Sequence, residues 1–544
     1  MLKLVLGTSG SGKTTLLYAR IRARAEAGKR SILLVPEQFT SSTEARIYRE
    51  LGDALSGMVE SYSFTSLAEH ILAVEGGAAV QTLTDAGRAV LVRRALEELQ
   101  DNVHYYYRHR RSAAFCQMAA ETIDELKSAG LSGQQLQELA RDCGTESAKL
   151  GELALIFQGY ESLLAGTGMD PADRLELAAD RLEAALARDE LPDFLREREV
   201  FIDEFDTFNA PKKRLMGAML AALPAVTVAL CEDGAPMQPG DLELFSGAKQ
   251  VAAQLRQLAR KNGAQVAAPE LLRRDLRHKD APGLAALTEL LETGSCTPPE
   301  SAPELRLFAA ASREEEARCA AAAIRRLMRQ GVRCGKIAVV CRDISLYRAA
   351  VRYEFRMAEI PLYCDEPTTP EFSAPATAVR ALLALLRGAD MTEQLTVLAK
   401  TGLCDLTEPE VCALENYAYT WSPNAAAWRA EFTKSPRGFG DAELTEEDTL
   451  NLTRAENARK KLVTAVDTLR SKVRSANAEQ ISRALYFCLK ELGAEGQQAA
   501  QVEDIRTARG IPAAEEAARE WNVVMQLLDE MARLLGSQGI TVPE

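Results

Sequence analysis

The sequence predicts an α/β chain: a parallel sheet interrupted by a helical insert, then the start of a second α/β unit, then a further helical region. Three observations predict it. Leu2 to Leu6 is an apolar run that stops at Gly7, and helical periodicity begins at Thr14. Ser31 to Val35, Glu199 to Ile202 and Ala225 to Leu230 are short apolar runs, the pattern of strands covered on both faces. From Thr84 to Leu186 the apolar residues recur at helical spacing instead.

In chain order, the first run is a strand, Gly7 starts a loop, and a helix follows to about Ala27, where Gly28 stops it. The second run is a strand ended by Pro36, and Val59 to Phe64 is a third. The helical stretch then interrupts the sheet, which resumes at Glu199 and again at Ala225 after Leu223-Pro224. This places a first α/β domain at 1–83 and 187–275 around an insert at 84–186. Gly, Pro, Ser and Thr crowd the stretch before Pro303, which marks a linker over 276–303. Leu305 to Ala309 and Ile337 to Cys341 read as strands flanking a helix from Glu314 to Arg329, closed by Gly331. That crossover opens a second α/β unit over 304–373, and 374–544 is nearly all helical.

A length of 544 residues fits about three or four domains at roughly 100–200 residues each. Hydrophobic residues at 47% exclude a disordered chain. A net charge of −13 excludes nucleic-acid binding through bulk electrostatics, so any such contact needs a local basic strip or a basic partner. Eleven cysteines without a CxxC pair, and only four histidines, lack the spacing of a zinc or iron–sulfur site and read as buried reduced thiols. Met1 runs straight into a strand, and no segment offers ~18 uninterrupted apolar residues. The expectation is a cytoplasmic protein without a membrane span.

The chemistry concentrates in the first loop. Gly7-Thr8-Ser9-Gly10-Ser11-Gly12-Lys13-Thr14, with Thr15 next, satisfies G-x-x-x-x-G-K-[ST] between a strand and a helix. Glycines let the backbone wrap phosphates, the helix N-terminus adds positive potential, Lys13 reaches the outer phosphates, and the Thr14 hydroxyl can hold Mg²⁺. The expected ligand is ATP with Mg²⁺. Val200-Phe201-Ile202-Asp203-Glu204 is an apolar strand ending in two carboxylates, where such an ATPase needs a Mg²⁺-associated aspartate, Asp203, and a water-activating glutamate, Glu204.

Three weaker features accompany these. Ser63, Phe64 and Thr65, within SYSFTSLA, suit phosphate contact and base stacking on single-stranded DNA, although Phe64 fits a plain core residue equally well. Tyr105-Tyr106-Tyr107-Arg108-His109-Arg110-Arg111 interleaves aromatic and basic residues, either as a nucleic-acid strip or as a solvated helix edge. Arg342, after the strand ending at Cys341, could aim a guanidinium at a nucleotide.

Together the loop, VPEQFT at Val35 to Thr40, SYSFTSLA at Ser61 to Ala68 and FIDEFDTF at Phe201 to Phe208 resemble superfamily 1 helicases. In order and wording they most resemble the AddB/RexB family, the B subunit of the bacterial ATP-dependent helicase/deoxyribonuclease. TIDELKSAGL from Thr122, GKIAVVCRD from Gly335 and KTGLCDLTEPEVCALENY from Lys400 extend the resemblance over essentially the whole chain.

The resemblance implies a RecA-like P-loop first domain and an AddA-like partner subunit. It also implies action on double-strand DNA ends and single-stranded DNA, with unwinding coupled to digestion for recombinational repair. It matches Lys13 and Thr14 to the nucleotide loop, Asp203 and Glu204 to the second ATPase motif, Phe64 to a DNA-contacting motif, and Arg342 to an arginine that meets the γ-phosphate. The family's carboxy-terminal nuclease, with its cysteine-held iron–sulfur cluster, and its last helicase motifs have no counterpart up to Glu544, so the chain reads as truncated. Many relatives have lost the glutamate that stands here as Glu204. Two readings follow: an ATP-driven helicase/exonuclease subunit, or a scaffold that binds DNA and its partner and uses ATP for conformational control. A third, an unrelated phosphate-loop ATPase or kinase, requires the other matches to be accidents.

Overall fold

Six strands pair in parallel into one sheet: β1 (Leu2–Gly7), β2 (Ser31–Leu34), β3 (Val59–Tyr62), β4 (Glu199–Ile202), β5 (Ala225–Cys231) and β6 (Glu270–Leu272), in the order β3-β2-β4-β5-β1-β6. The computed structural model describes residues 1–77, 81–236, 244–364, 372–440, 443–474 and 476–536. It divides into two units, 1–277 with 371–544, and 278–370.

Alternation along the strands builds two cores. Leu2, Leu4, Leu6, Ile32, Leu34, Val200, Ile202, Val226 and Val228 point to one face, while Val5, Leu33, Phe201 and Ala229 point to the other. The second face is covered by α1 (Lys13–Glu26) and α2 (Thr40–Leu51), through Leu17, Tyr18, Ile21 and Ile47. After α3 (Asp53–Ser56), the first face receives α4 (Phe64–Glu75) and, later in the chain, α10 (Ala210–Ala222) and α11 (Ser246–Lys261). Burial on both faces is why these strands read as apolar runs. The third strand ends at Tyr62, because Ser63 already caps α4. β6 escapes sequence reading: three residues pairing only with β1 at the sheet edge leave no pattern.

The insert contains α5 (Asp85–Glu98), α6 (Ala113–Ser128), α7 (Gly133–Ala140), α8 (Ser147–Leu164) and α9 (Pro171–Ala187). Leu91, Val92, Leu96, Ile123, Phe157 and Tyr160 form its own core. α9 departs from the expected boundary at 186. Its Leu175, Ala178, Ala179 and Leu182 join the sheet core, so it returns the chain to the sheet. Lys127 on α6 pins this return, 2.6 Å from Asp170 and 2.8 Å from Asp173, with the Tyr160 hydroxyl donating to Asp170 at 2.5 Å.

In the unit 278–370, α12 (Pro282–Thr293) precedes α13 (Arg313–Arg329), which packs on α14 (Ile344–Met357) through Ala317, Ala321, Ile324, Val351 and Phe355. The expected strands at 305–309 and 337–341 are not formed among the described residues, which show no ladder there. Leu307 is 102% exposed and Val340 91%. Parallel strands are stable inside a multi-stranded sheet with both faces covered, and two short segments over one helix layer do not meet that condition.

The region from 374 is helical as expected: α15 (Ala374–Leu386), α16 (Met391–Lys400), α17 (Glu408–Trp421), α18 (Ala425–Arg429), α19 (Glu446–Val473), α20 (Ala478–Glu491), α21 (Ala494–Arg509) and α22 (Ile511–Leu535). Trp428, Leu462, Val466 and Leu485 lie in its core. No described helix is long and apolar enough to cross a membrane.

α22 also packs on the insert: Leu534 and Leu535 enter its core, and Arg94 donates to the Leu534 carbonyl at 2.9 Å. The buried Glu530 carboxylate accepts from the Thr84 backbone N–H at 2.9 Å and from the Thr84 hydroxyl, at the N-cap of α5. Glu530→Ala leaves that half-buried N–H without its acceptor, so a loss of about 1 kcal/mol is expected in denaturant unfolding. An unchanged midpoint would refute this linkage.

Candidate nucleotide-binding site

All six strands run the same way, so the loop after β1 and the carboxylates after β4 open on one edge of the sheet, separated by the width of β5. Gly10 and Gly12 take left-handed conformations (φ 81° and 91°), and Gly12 is the N-cap of α1 without a side-chain cap. The first amides of α1 therefore face into the loop, and its first turn has no acidic residue. Lys13 Nζ donates to the carbonyls of Gly7 at 2.7 Å and Thr8 at 2.8 Å, which holds the ammonium over the loop. Ser11 Oγ is buried there with no hydrogen-bond partner. Free amides, an ammonium and an orphaned hydroxyl fit a polyphosphate.

Asp203 is buried, its N–H donating to the Leu34 carbonyl at 3.0 Å and its carboxylate accepting from the Glu204 N–H at 3.0 Å, near the Thr14 hydroxyl. Burial pushes the Asp203 carboxyl above the usual carboxylate range, against the nearby Thr14 hydroxyl, the Glu204 N–H and the charges of Lys13 and Arg46. Glu204 is exposed at φ 65°, a conformation costly for a residue with a Cβ. Although the residue as a whole is exposed, partial desolvation of its carboxyl, and then the charge of Asp203, push that carboxyl up, and Arg46 opposes them. Among the described residues no three His, Cys, Asp or Glu side chains cluster as a metal cage. One hydroxyl and one carboxylate are what Mg²⁺ takes when phosphates and water complete its shell, so Thr14 and Asp203 fit that ion.

The sign of the Asp203 shift makes a prediction. An acid whose folded pKa is raised favours folding below that pKa and costs stability as pH rises through it. Asp203→Asn keeps an acceptor for Thr14 and removes the buried charge. It is therefore expected to melt higher than wild type at neutral pH by a few degrees, with the gap closing on acidification. A variant that melts lower at neutral pH would refute the assignment.

Two arginines without sequence signals stand at this site. Arg46 on α2 lies 4.8 Å over the Tyr18 ring, its Nε buried without a partner, and its charge acts on both Asp203 and Glu204. The Tyr18 phenol beneath it is pushed up to about 12 by burial and stays neutral. Arg277 arrives with the segment after β6, which crosses the loop: Leu276 N–H donates to the Gly10 carbonyl at 3.0 Å, and Arg277 Nη1 to Ser9 Oγ at 3.2 Å. A Cβ on Gly10 would stand 2.8 Å from Asp275 Oδ1, so this crossing, as well as the backbone angle, requires glycine there. Residues 275–277 thus belong to the site, where the sequence suggested a linker from 276.

Gly7 to Thr14, Asp203 and Glu204 come together, and Thr15 is exposed on the first turn of α1. Arg342 belongs to the other unit, where it is exposed just before Asp343, the N-cap of α14. Phe64 corrects one expectation. It is 2% exposed, edge-on to Phe205 at 5.2 Å and Phe208 at 6.0 Å, so its ring is core and no open stacking platform. Ser63 is buried in a reciprocal cap with Ser66, while Thr65 is exposed. Beside them a cavity of about 410 Å³ is lined by Gln38 after β2, Ser63 and Thr65 after β3, Lys212 on α10, and Asp124 and Ser128 from the insert.

The family described as "ADDB, N-terminal" matches residues 4–288, more than half of the chain. The chain belongs to the AddB family. The B subunit of the ATP-dependent helicase/deoxyribonuclease of Desulforudis audaxviator is 30% identical over 572 residues, covering 100% of this chain and 48% of that AddB relative. The protein of the same name from Moorella thermoacetica is 30% identical over 567 residues, with the same coverage. That of Clostridium acetobutylicum is 24% identical over 555 residues, covering 100% and 47%. The chain spans about half the length of the curated AddB relatives it matches.

Proposed function

We propose that this chain is the helicase-like portion of an AddB-type subunit whose RecA-like first domain, 1–83 with 187–275, binds ATP and Mg²⁺. In this reading 84–186 is the insert, its last helix returning to the sheet; 276–303 is a linker whose first residues, Leu276 and Arg277, lie on the phosphate loop; 304–373 is the start of a second RecA-like domain and 374–544 a further helical region. With an AddA-like partner in the cytoplasm, it processes double-strand DNA ends for recombinational repair. The observation that carries the reading is the placing of the buried Asp203, at the end of β4, on the same sheet edge as the phosphate loop, where Thr14 and the charge of Lys13 act on its carboxylate.

Bound Mg-ATP supplies a phosphoryl group whose transfer to water requires alignment and charge neutralisation. The α1 amides and Lys13 orient the phosphates, and Thr14 and Asp203 hold the metal. Glu204 takes a proton from water, a role served by its raised pKa. Arg46 and Arg277 bring positive charge to the same edge. The cavity lined by Gln38, Thr65 and Lys212 offers polar contacts to a DNA strand.

One observation favours the scaffold reading: Asp275 brings a carboxylate beside Gly10, where it opposes phosphate. The two readings separate in single-stranded-DNA-stimulated ATP hydrolysis by the assembled complex, with the partner's own motor disabled. Lys13→Ala and Glu204→Gln in this subunit are each expected to abolish the residual turnover, and unchanged turnover in both would sink the motor reading.

A further inference from the structure

The insert carries an exposed ridge that the nucleotide site does not use. Between α5 and α6, Val103 is fully buried, and the Glu152 carboxylate on α8 accepts the backbone N–H groups of His104, Tyr105 and Tyr106 at 2.8 to 3.1 Å. A 3₁₀ turn at Tyr107–His109 and the Ser112 cap of α6 complete the loop. Its shape is therefore set by the fold before anything binds.

The side chains it presents are basic and aromatic. Arg110 stacks 3.9 Å from the Tyr107 ring, Arg108 lies 6.0 Å from that of Tyr105, and Lys149 on α8 stands 5.4 Å from the latter. Tyr105 is 45% exposed. Elsewhere in this helical stretch Arg88, Arg93, Arg94 and Arg174 each pair with a carboxylate. Among the described residues Arg108, Arg110 and Arg111 have no carboxylate partner; the first two donate to the His109 ring and to the Tyr107 carbonyl. Three guanidinium groups without a counter-charge thus gather within four residues of a pre-shaped loop, in a chain of net charge −13.

We propose that the Tyr105–Arg111 ridge is a second nucleic-acid contact, with Arg108, Arg110 and Arg111 on backbone phosphates and Tyr105 stacking on a base of a single strand. This rests on the DNA-handling reading above and deepens it. Guanidinium groups match phosphates, and an exposed aromatic between them has a use with bases that it lacks with an acidic peptide. One helix, α6, links the ridge to the cavity. α6 starts at Ala113 and presents Asp124 and Ser128 to it, about 17 Å along the helix, a length that a few nucleotides cover.

The test uses the full chain, labelled oligo-dT, an abasic strand of equal charge and a blunt duplex, titrated at several salt concentrations. Replacing Arg108, Arg110 and Arg111 together by Gln is expected to weaken oligo-dT binding about tenfold or more. The salt slope should fall by about two, at roughly 0.7 for each phosphate no longer neutralised. The triple Lys variant keeps the slope. Tyr105→Ala is expected to cost about fivefold or more on oligo-dT and nothing on the abasic strand.

Unchanged affinity and slope in a triple Gln variant of normal melting temperature would overturn the proposal. If that variant unfolds, unchanged oligo-dT binding by Tyr105→Ala overturns it. Polyglutamate competing as well as DNA at equal salt would assign the ridge to an acidic protein instead, and a preference for duplex over oligo-dT would remove the stacking role. Wild-type protein that binds no DNA of any form refutes the functional reading as well, whereas wild-type binding matched by every ridge variant refutes the ridge alone.

Discussion

Glu204→Gln is expected to leave nucleotide affinity within about threefold and to lower the DNA-stimulated turnover of this subunit by about 10²–10⁴-fold, the usual contribution of a positioned general base. The amide keeps the size of the side chain and its left-handed backbone, and removes only the ability to accept a proton. Glu204 is suited to the task by its surroundings: partial desolvation of its carboxyl and the neighbouring Asp203 raise its affinity for a proton, and Arg46 limits the rise. The activity should therefore rise with pH through a pKa above the usual glutamate range, and the Gln variant should lose that limb. A Gln variant with wild-type turnover and the same pH limb would place the base elsewhere.

Lys13→Ala is expected to weaken nucleotide binding itself, by about ten- to a hundredfold, since one charge-assisted contact to phosphate contributes about 1.5–3 kcal/mol. Any change in stability without nucleotide comes from the contacts the ammonium makes then, among them the loop carbonyls of Gly7 and Thr8 and the charge of the buried Asp203. Fluorescent-nucleotide titration alongside thermal melting separates the two effects. Retained affinity with normal melting would exclude Lys13 from phosphate contact. The contrast between the variants, binding lost in one and turnover lost in the other, also distinguishes a motor from a scaffold, which needs Lys13 and has no use for Glu204.

Much of the site was legible in the sequence because its chemistry is encoded locally. A strand, a glycine-punctuated loop and a helix start lie within Leu2–Glu26, and their backbone requirements, positive φ at Gly10 and Gly12 and free amides at the start of α1, appear directly as residue types. The acidic strand end at Asp203-Glu204 is equally local, and four of the six strands show as apolar runs because both faces of the sheet are covered.

What only the tertiary structure decided are contacts between residues far apart in the chain. Arg46 and Arg277 reach the site from α2 and from the segment beyond β6, and neither position has a pattern that distinguishes it from a surface arginine. Phe64 suited a stacking platform as well as a core until Phe205 and Phe208 closed on it. α9 looked like the last helix of an insert, yet its apolar stripe faces the sheet. The segments at 305–309 and 337–341 have strand composition, but β-propensity becomes a strand only where neighbours supply hydrogen bonds and cover, and the described residues of the unit 278–370 supply neither. The sequence by itself thus determined the chemistry carried by each local motif, and the tertiary structure determined which distant side chains share its space, because packing and long-range hydrogen bonds leave no periodicity to read.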